Sequence, residues 1–311
     1  MIIVTGGAGF IGSNLVHGLN KMGYTDILIV DNLSKSEKHL NMNRLGFSDY
    51  IDKYEFIENL DSYTDVDVVF HLGACSNTTE TDGIYMMDIN YEYSKTLYTF
   101  CQKRNARFIY ASSASVYGNG DNGFTELREN EYPLNIYAYS KFLFDQWVRK
   151  QEWKSENQVV GLRYFNVYGP QENHKGPMAS VIYHFHNQIR AEGCINVFEG
   201  SEDYIRDFVY VKDVIDVNLF LLANPGVSGI FNVGTGKAES FMKIAQIMSE
   251  ENGGVEVKTI PFPEHLKGKY QKFTQADLTN LREAGYDAPF ISLDDGVRDY
   301  ARILKESGGM L

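Results

Sequence analysis

The fold of this chain turns on TGGAGFIG, residues 5–12. The stretch follows MIIVT, an unbroken apolar run of the kind that forms a buried strand. It leads into apolar residues at Ile11, Leu15, Leu19 and Met22, close to the spacing of one helix face. Gly7, Gly9 and Gly12 fit the pattern G-x-G-x-x-G, and Gly6, Gly9 and Gly12 fit the related G-x-x-G-x-x-G. Glycines at the end of a strand let the backbone approach a pyrophosphate, whose charge then meets the N-terminus of the following helix. The stretch therefore predicts a dinucleotide site.

Working outward, DILIVD predicts a second strand ending at Asp31, 19 residues beyond Gly12, near the spacing expected of a ribose-binding acid. A carboxylate there repels a 2′-phosphate, so Asp31 by itself points to NAD. Lys38 and Lys53 point to NADP if they neutralise that phosphate, and are surface lysines if they do not. Further strands are expected in DVDVVFHLGA, RFIYASS and VVGLRYFNVYG, with helices from about Ile84 to Arg104 and from Tyr137 to about Lys150. This alternation predicts an α/β fold: a Rossmann-like, doubly wound parallel sheet covered on both faces. Beyond residue 168 the periodicity loosens. The expected division is a dinucleotide-binding domain over 1–168 and a smaller α/β substrate-binding region over 169–311, with about 207–236 returning to the first domain.

Composition excludes several classes. The 311 residues carry 29 Lys and Arg against 41 Asp and Glu, a net charge of −12, which disfavours a nucleic-acid scaffold. An anionic ligand then needs a local basic cluster. No apolar run is long enough to span a bilayer, and no basic leader precedes the first strand, so a cytoplasmic protein is expected. Cys75, Cys101 and Cys194 form no CxxC pair, and His184 and His186 are two apart, on different faces of a helix. No metal site is expected.

YAYSK places Tyr137 and Lys141 four apart, on one face of a helix. To act as a base near neutrality a tyrosine must fall about 3 units from its usual pKa near 10, roughly 4 kcal/mol of differential stabilisation. A neighbouring ammonium and a cationic nicotinamide ring can supply that. Tyr139 points elsewhere. Ser113, in ASSASVYG, ends a parallel strand, where such sheets bind ligands, and could hydrogen-bond the substrate oxygen that Tyr137 deprotonates. In QENHKGPM, Lys175 is either a solvated loop charge or half of a catalytic pair.

Taken together, TGGAGFIG, SSASVYG, YAYSK and RYFNVYGP resemble the extended short-chain dehydrogenase/reductase family, and RDFVYVKDV extends the match. The family implies oxidation or reduction at a sugar carbon. The chain is similar, over nearly its whole length, to one nucleotide-sugar epimerase branch, through GACSNTTETDG, YMMDINYEYSK, ENHKGPMASV, FEGSEDYIRDFVYV and GKYQKFTQADLTNLREAGYD. That resemblance implies an ADP-linked heptose epimerised at C6, with Tyr137 and Lys175 as acid/base groups supported by Lys141 and Ser113. It implies NADP, with NAD possible, held by Gly6, Gly9, Phe10, Ile11 and Gly12, by Asp31, Asn32, Lys38 and Lys53, by Leu72, Gly73, Ala74, Cys75 and Ser76, and by Asn90, Lys141 and Val167. For the substrate it implies Asn166, His184, Phe198, Glu199, Gly200, Ser201, Arg206 and Tyr270, with Arg206 on the diphosphate. It also implies a homo-oligomer, typically a pentamer. Pro177 stands where this branch commonly has serine. Rival readings are a UDP-hexose 4-epimerase, in which the sugar rotates and one tyrosine suffices, and a non-catalytic NADP-binding regulator, which usually loses the tyrosine or lysine. A sugar 4,6-dehydratase would carry an acidic pair where this chain has ASV.

Overall fold

The computed structural model describes residues 1–151, 157–263 and 271–311. Strand β1 (Ile2–Thr5) is buried along its length and runs into helix α1 (Phe10–Lys21); β2 is Ile27–Asp31. A short strand β3 (Asp49–Asp52) and helix α2 (Lys53–Glu58) follow, then β4 (Val68–His71). Helices α3 (Gly83–Met87) and α4 (Tyr93–Arg104) precede β5 (Arg107–Ser113), and α5 (Ile136–Arg149) precedes β6 (Val159–Tyr164). These six strands and β10 form one parallel sheet in the order β10-β6-β5-β4-β1-β2-β3, with β10 being Gly229–Val233. The order reverses direction between β1 and β4, which opens a crevice at their carboxyl ends.

The remaining elements are β7 (Asn166–Tyr168), α6 (Val181–Glu192), β8 (Cys194–Phe198), β9 (Ile205–Tyr210), α7 (Val211–Ala223), β11 (Ala238–Ser240), α8 (Phe241–Glu251), β12 (Glu256–Ile260), α9 (Thr279–Glu283) and α10 (Leu293–Ser307). They contain a three-stranded sheet β11-β9-β7 and the parallel pair β12-β8. One apolar core runs from Ile2 and Val4 of β1 through Val209 and Val217 to Tyr300 and Leu304 of α10. Helix α7 lies against α1 at Gly18, where a Cβ would stand 2.6 Å from the Ile215 side chain.

One expected helix carries an irregular turn and one expected strand is broken. The single helix expected over 84–104 is interrupted by a π turn at Asp88–Glu92. The extra residue turns Asn90 inward, where its amide holds both the N–H and the carbonyl of Cys75 (2.8 and 3.0 Å). The strand expected over VVGLRYFNVYG breaks at Phe165, whose N–H donates to the Val233 carbonyl (3.0 Å) while its ring packs in a separate cluster with Tyr117 and Phe124. Asn166–Tyr168 leaves the main sheet and pairs with β9. Strand β3 has only four residues, exposed or half-buried, and no apolar run announces it.

Candidate active site

The glycine turn is shaped by close backbone approach. Gly6 takes φ +70°, and a Cβ on it would meet the Gly73 backbone at 2.7 Å; a Cβ on Gly12 would stand 2.1 Å from the Gly6 carbonyl. Helix α1 starts at Phe10 with Gly9 as N-cap and no side-chain cap, so its first amides are left for a ligand. The loop after β4 closes the other side. Leu72 N donates to the Thr5 carbonyl (3.1 Å) and Gly73 N to Thr5 Oγ1 (3.1 Å). Leu72, Gly73, Ala74 and Cys75 are half-buried there and Ser76 is exposed. These features fit a dinucleotide pyrophosphate at the crevice between β1 and β4.

At the end of β2, Asp31 is buried and its carboxylate is occupied. It accepts from Ala8 N (3.0 Å), from Asn32 N (2.7 Å) and from Lys38 Nζ (2.7 Å). Asp52 of β3 is the register partner of Asp31, which brings Lys53, the first residue of α2, to the same end of the sheet. Lys38 thus meets Asp31 directly, while Lys53 reaches the same end of the sheet from another segment, its ammonium over the Tyr54 ring (4.7 Å).

The Tyr/Lys helix α5 begins at Asn135, whose side chain accepts from Ala138 N (2.8 Å). Burial pushes the Tyr137 phenol up from its ordinary value, and its hydrogen bond with Ser113 pulls it back. Lys141 is buried and donates to the Ala111 carbonyl (2.8 Å); desolvation lowers its pKa to about 8, against the attraction of Asp145. Tyr139, two residues from Tyr137, is exposed and packs on Phe142. Ser113 also accepts from Ser115 N (3.2 Å).

Beneath this helix lies a buried ionic network that sequence reading missed. The Asp145 carboxylate, one turn beyond Lys141, accepts from Tyr110 OH (3.0 Å), Ser112 Oγ (2.9 Å) and Arg163 Nε (3.0 Å). Arg163 is wholly buried and also pairs with Glu131, which Arg149 meets at 2.7 Å. A second buried chain was also missed. His71 bridges Thr5 Oγ1 (2.7 Å) and Ser94 Oγ (2.8 Å), Ser94 donates to the Asn90 carbonyl (2.7 Å), and Asn90 Nδ2 donates to Ser140 Oγ (3.1 Å) on the Tyr/Lys helix. The polar residue His71 ending an otherwise apolar strand, VVFH, was the available signal.

Lys175 sits in Asn173–Met178, two short 3₁₀ turns joined across a kink at Gly176, which takes φ +57°. Its Nζ lies 4.8 Å from the centroid of the Phe10 ring at the start of α1 and 3.8 Å from Glu172 Oε2. Burial lowers its pKa and Glu172 opposes that. The turn is stapled to the nucleotide side: Asn41 Nδ2 donates to the carbonyls of Ala8 (3.0 Å) and Gln171 (3.2 Å), and Lys35 Nζ donates to the His174 carbonyl (3.2 Å). Gln171 adopts φ +76°, a left-handed conformation that its hydrogen bonds with Asn41 and the Gly309 carbonyl sustain.

Of the residues expected at the substrate, Asn166 is exposed and Val167 half-buried on β7, alongside β9. His184 lies on α6, its Nε2 3.4 Å from the Pro177 carbonyl. Phe198, Glu199, Gly200 and Ser201 form the turn after β8, with Phe198 edge-on to Phe262. The Ser201 hydroxyl is buried and has no hydrogen-bond partner among the described residues. Arg206 on β9 is buried, donating to the Ile205 carbonyl (2.9 Å) beside Phe241. Tyr270 lies outside the described residues. Among those described, no group of His, Cys, Asp and Glu side chains is arranged to hold a metal.

Residues 2–234 match the NAD dependent epimerase/dehydratase family. The chain is 57% identical, over the full length of both proteins, to an ADP-L-glycero-D-manno-heptose-6-epimerase of Brachyspira hyodysenteriae. Its structure is similar to the Helicobacter pylori ADP-L-glycero-D-manno-heptose-6-epimerase, with a TM-score of 0.86 and 31% identity over 98% of this chain and 96% of that one. It is also similar to a UDP-N-acetylglucosamine 4-epimerase from Methanobrevibacter ruminantium, with a TM-score of 0.85 and 28% identity over 97% of this chain and 96% of the other.

Proposed function

The chain belongs to the NAD dependent epimerase/dehydratase family, and from that premise we propose that it inverts C6 of the heptose in ADP-D-glycero-D-manno-heptose to give the L-glycero epimer. It is an isomerase acting on a nucleotide sugar. The observation that carries the substrate is the 57% identity over the whole of both chains, because fold similarity is nearly equal for a 4-epimerase of a UDP-sugar.

Inverting C6 cannot proceed by simple deprotonation, since no carbonyl adjoins that carbon to acidify its hydrogen. A nicotinamide, when bound, would supply the alternative, reversible hydride transfer at C6 by way of a 6-ketone. The glycine turn and the uncapped start of α1 would hold its pyrophosphate, and Asp31 its adenosine ribose. We read the cofactor as NADP, with NAD possible. Supporting this, Lys38 neutralises Asp31 and Lys53 stands at the neighbouring strand end, so the carboxylate no longer repels a 2′-phosphate.

The two epimers direct their C6 hydroxyls oppositely, so two proton-transfer groups serve better than one. We assign Tyr137 to one side, with Ser113 as its hydrogen-bond partner and Lys141 as the nearby cation. A lysine pKa of about 8 leaves Lys141 mostly charged at neutral pH, and a cation one turn along the same helix face would favour tyrosinate. We assign Lys175 to the other side. Its partial desolvation makes the amine a usable base, as a fully hydrated lysine is not. The Ser201 hydroxyl, buried and without a hydrogen-bond partner among the described residues, supports a substrate-binding role for the turn at 198–201. We further propose a cytoplasmic homo-oligomer, by resemblance a pentamer, that supplies lipopolysaccharide inner-core precursors. Among the described residues no helix is long and apolar enough to cross a membrane.

The test is turnover. Each C6 epimer of ADP-glycero-manno-heptose should be converted to the same equilibrium mixture, while UDP-glucose and UDP-N-acetylglucosamine should turn over orders of magnitude more slowly. Comparable conversion of a UDP-hexose would move the assignment to a 4-epimerase.

A further inference from the structure

We propose that Glu172 is the positioning residue for Lys175, fixing both the protonation of its amine and the turn that presents it. This rests on the reading of Lys175 as the second proton-transfer group. Glu172 is wholly buried, and both its oxygens are used: Oε2 accepts from Ser180 N (2.6 Å) and Oε1 from Ser180 Oγ (2.5 Å). Ser180 is the N-cap of α6, its hydroxyl accepting in turn from Tyr183 N. One carboxylate thereby ties the start of α6, the helix carrying His184, to the 3₁₀ turn of Lys175. A buried carboxylate is costly unless hydrogen-bonded and paired. The cation nearest it is the Lys175 ammonium, at 3.8 Å.

The groups around the amine leave this role to Glu172. The Phe10 ring faces it from α1. His174, on the same turn, is depressed to about 4 by burial and by the neighbouring Lys38, Lys175 and Lys35, and so is neutral near pH 7. From α10 the Tyr300 phenol faces the carboxylate itself. Burial drives Lys175 toward the neutral amine and Glu172 holds it back. Such a balance suits a group that must release and accept a proton in each catalytic cycle.

The experiment follows the Lys175 resonance through a pH titration of the intact protein carrying isotope-labelled lysine, the signal being assigned by its loss in Lys175→Met. Glu172→Gln can still hydrogen-bond Ser180 but carries no charge. The Lys175 midpoint should drop by roughly 1–3 units, the range for loss of one close opposite charge. The Lys175 limb of the epimerisation pH profile should drop with it, and kcat should fall more than KM. Ser180→Ala, which loosens the clamp and leaves the charge, should keep the midpoint near the wild-type value. An unmoved midpoint in Glu172→Gln would overturn the proposal and leave Glu172 a clamp alone. If Glu172→Gln does not fold, Glu172→Asp withdraws the charge by one methylene. A smaller downward shift then supports the proposal and no shift overturns it. Failure of the underlying reading looks different: Lys175→Met would epimerise near the wild-type rate, whatever the midpoint does.

Discussion

Lys38 Nζ rests 2.7 Å from Asp31 Oδ1, so the acid that ends the second strand is already neutralised by a residue seven positions later. The pair changes what Asp31 means for cofactor choice. An isolated carboxylate excludes a 2′-phosphate, whereas a carboxylate paired with lysine tolerates it. Replacing Lys38 and Lys53 together with alanine should weaken NADP binding at least tenfold more than NAD binding, as measured by cofactor titration. Equal losses would show that neither lysine meets the phosphate.

Tyr137→Phe removes one hydroxyl and little volume. It should lower the epimerisation rate by about 10²–10⁴, the usual range for a proton-transfer group, with cofactor affinity little changed. Tyr139→Phe, on an exposed residue, should stay within a few-fold of wild type. Similar losses in steady-state kinetics of the two variants would mean that the wrong tyrosine has been chosen.

Lys175→Met keeps the stem length and cannot carry a proton. Epimerisation should nearly stop while one half-reaction survives. In single-turnover absorbance measurements one epimer should still reduce the bound cofactor and the other should not, and Tyr137→Phe should show the opposite preference. Near wild-type epimerisation by Lys175→Met would favour a rotating sugar served by one tyrosine.

Asp145→Asn leaves the buried Arg163 guanidinium short of a charge partner. Breaking a buried pair from one side costs about 3–5 kcal/mol, and urea unfolding should show a loss of that size. A loss below about 1 kcal/mol, the level of a surface pair, would contradict the burial seen here.

His71 is buried and neutral, its pKa depressed by desolvation, and further by Lys141, to about 3 against an ordinary value of 6.5. Above pH 6.5 neither the folded nor the unfolded chain protonates it, and its contribution to stability is intact. As pH falls from 6.5 toward 3 the unfolded chain takes up the proton first, so stability drops by roughly 1.4 kcal/mol per unit through this window. In His71→Gln that contribution is absent, so the difference in unfolding free energy between wild type and variant should narrow between about pH 7.5 and about pH 5. A constant difference would show that the histidine takes up its proton as readily in the fold as in the unfolded chain.

The local signals in the sequence held where structure is set by neighbours along the chain. The glycine turn, the strand before it and the helix after it are legible because backbone geometry restricts which residues fit: Gly6 and Gly12 have no room for a Cβ. RFIYASS is the strand Arg107–Ser113 to the residue, its central FIYA supplying the apolar run that a covered parallel strand needs. Tyr137 and Lys141 could be placed on one helix face from their spacing alone.

Tertiary structure decided the rest. That Lys38 folds back on Asp31 depends on the turn after β2, and that His71 joins Thr5 to Ser94 and Arg163 joins Asp145 to Glu131 depends on tertiary packing, which brings together residues up to 66 positions apart. The π turn within the helix and the strand break at Phe165 were likewise invisible, because each is stabilised by a partner elsewhere in the chain, Cys75 in one case and Val233 in the other. Lys175 shows both limits. Its type and its neighbours were plain in QENHKGPM, but its environment was not. Desolvation against Phe10 and the pull of a buried Glu172 are properties of packing, which no spacing along the chain displays.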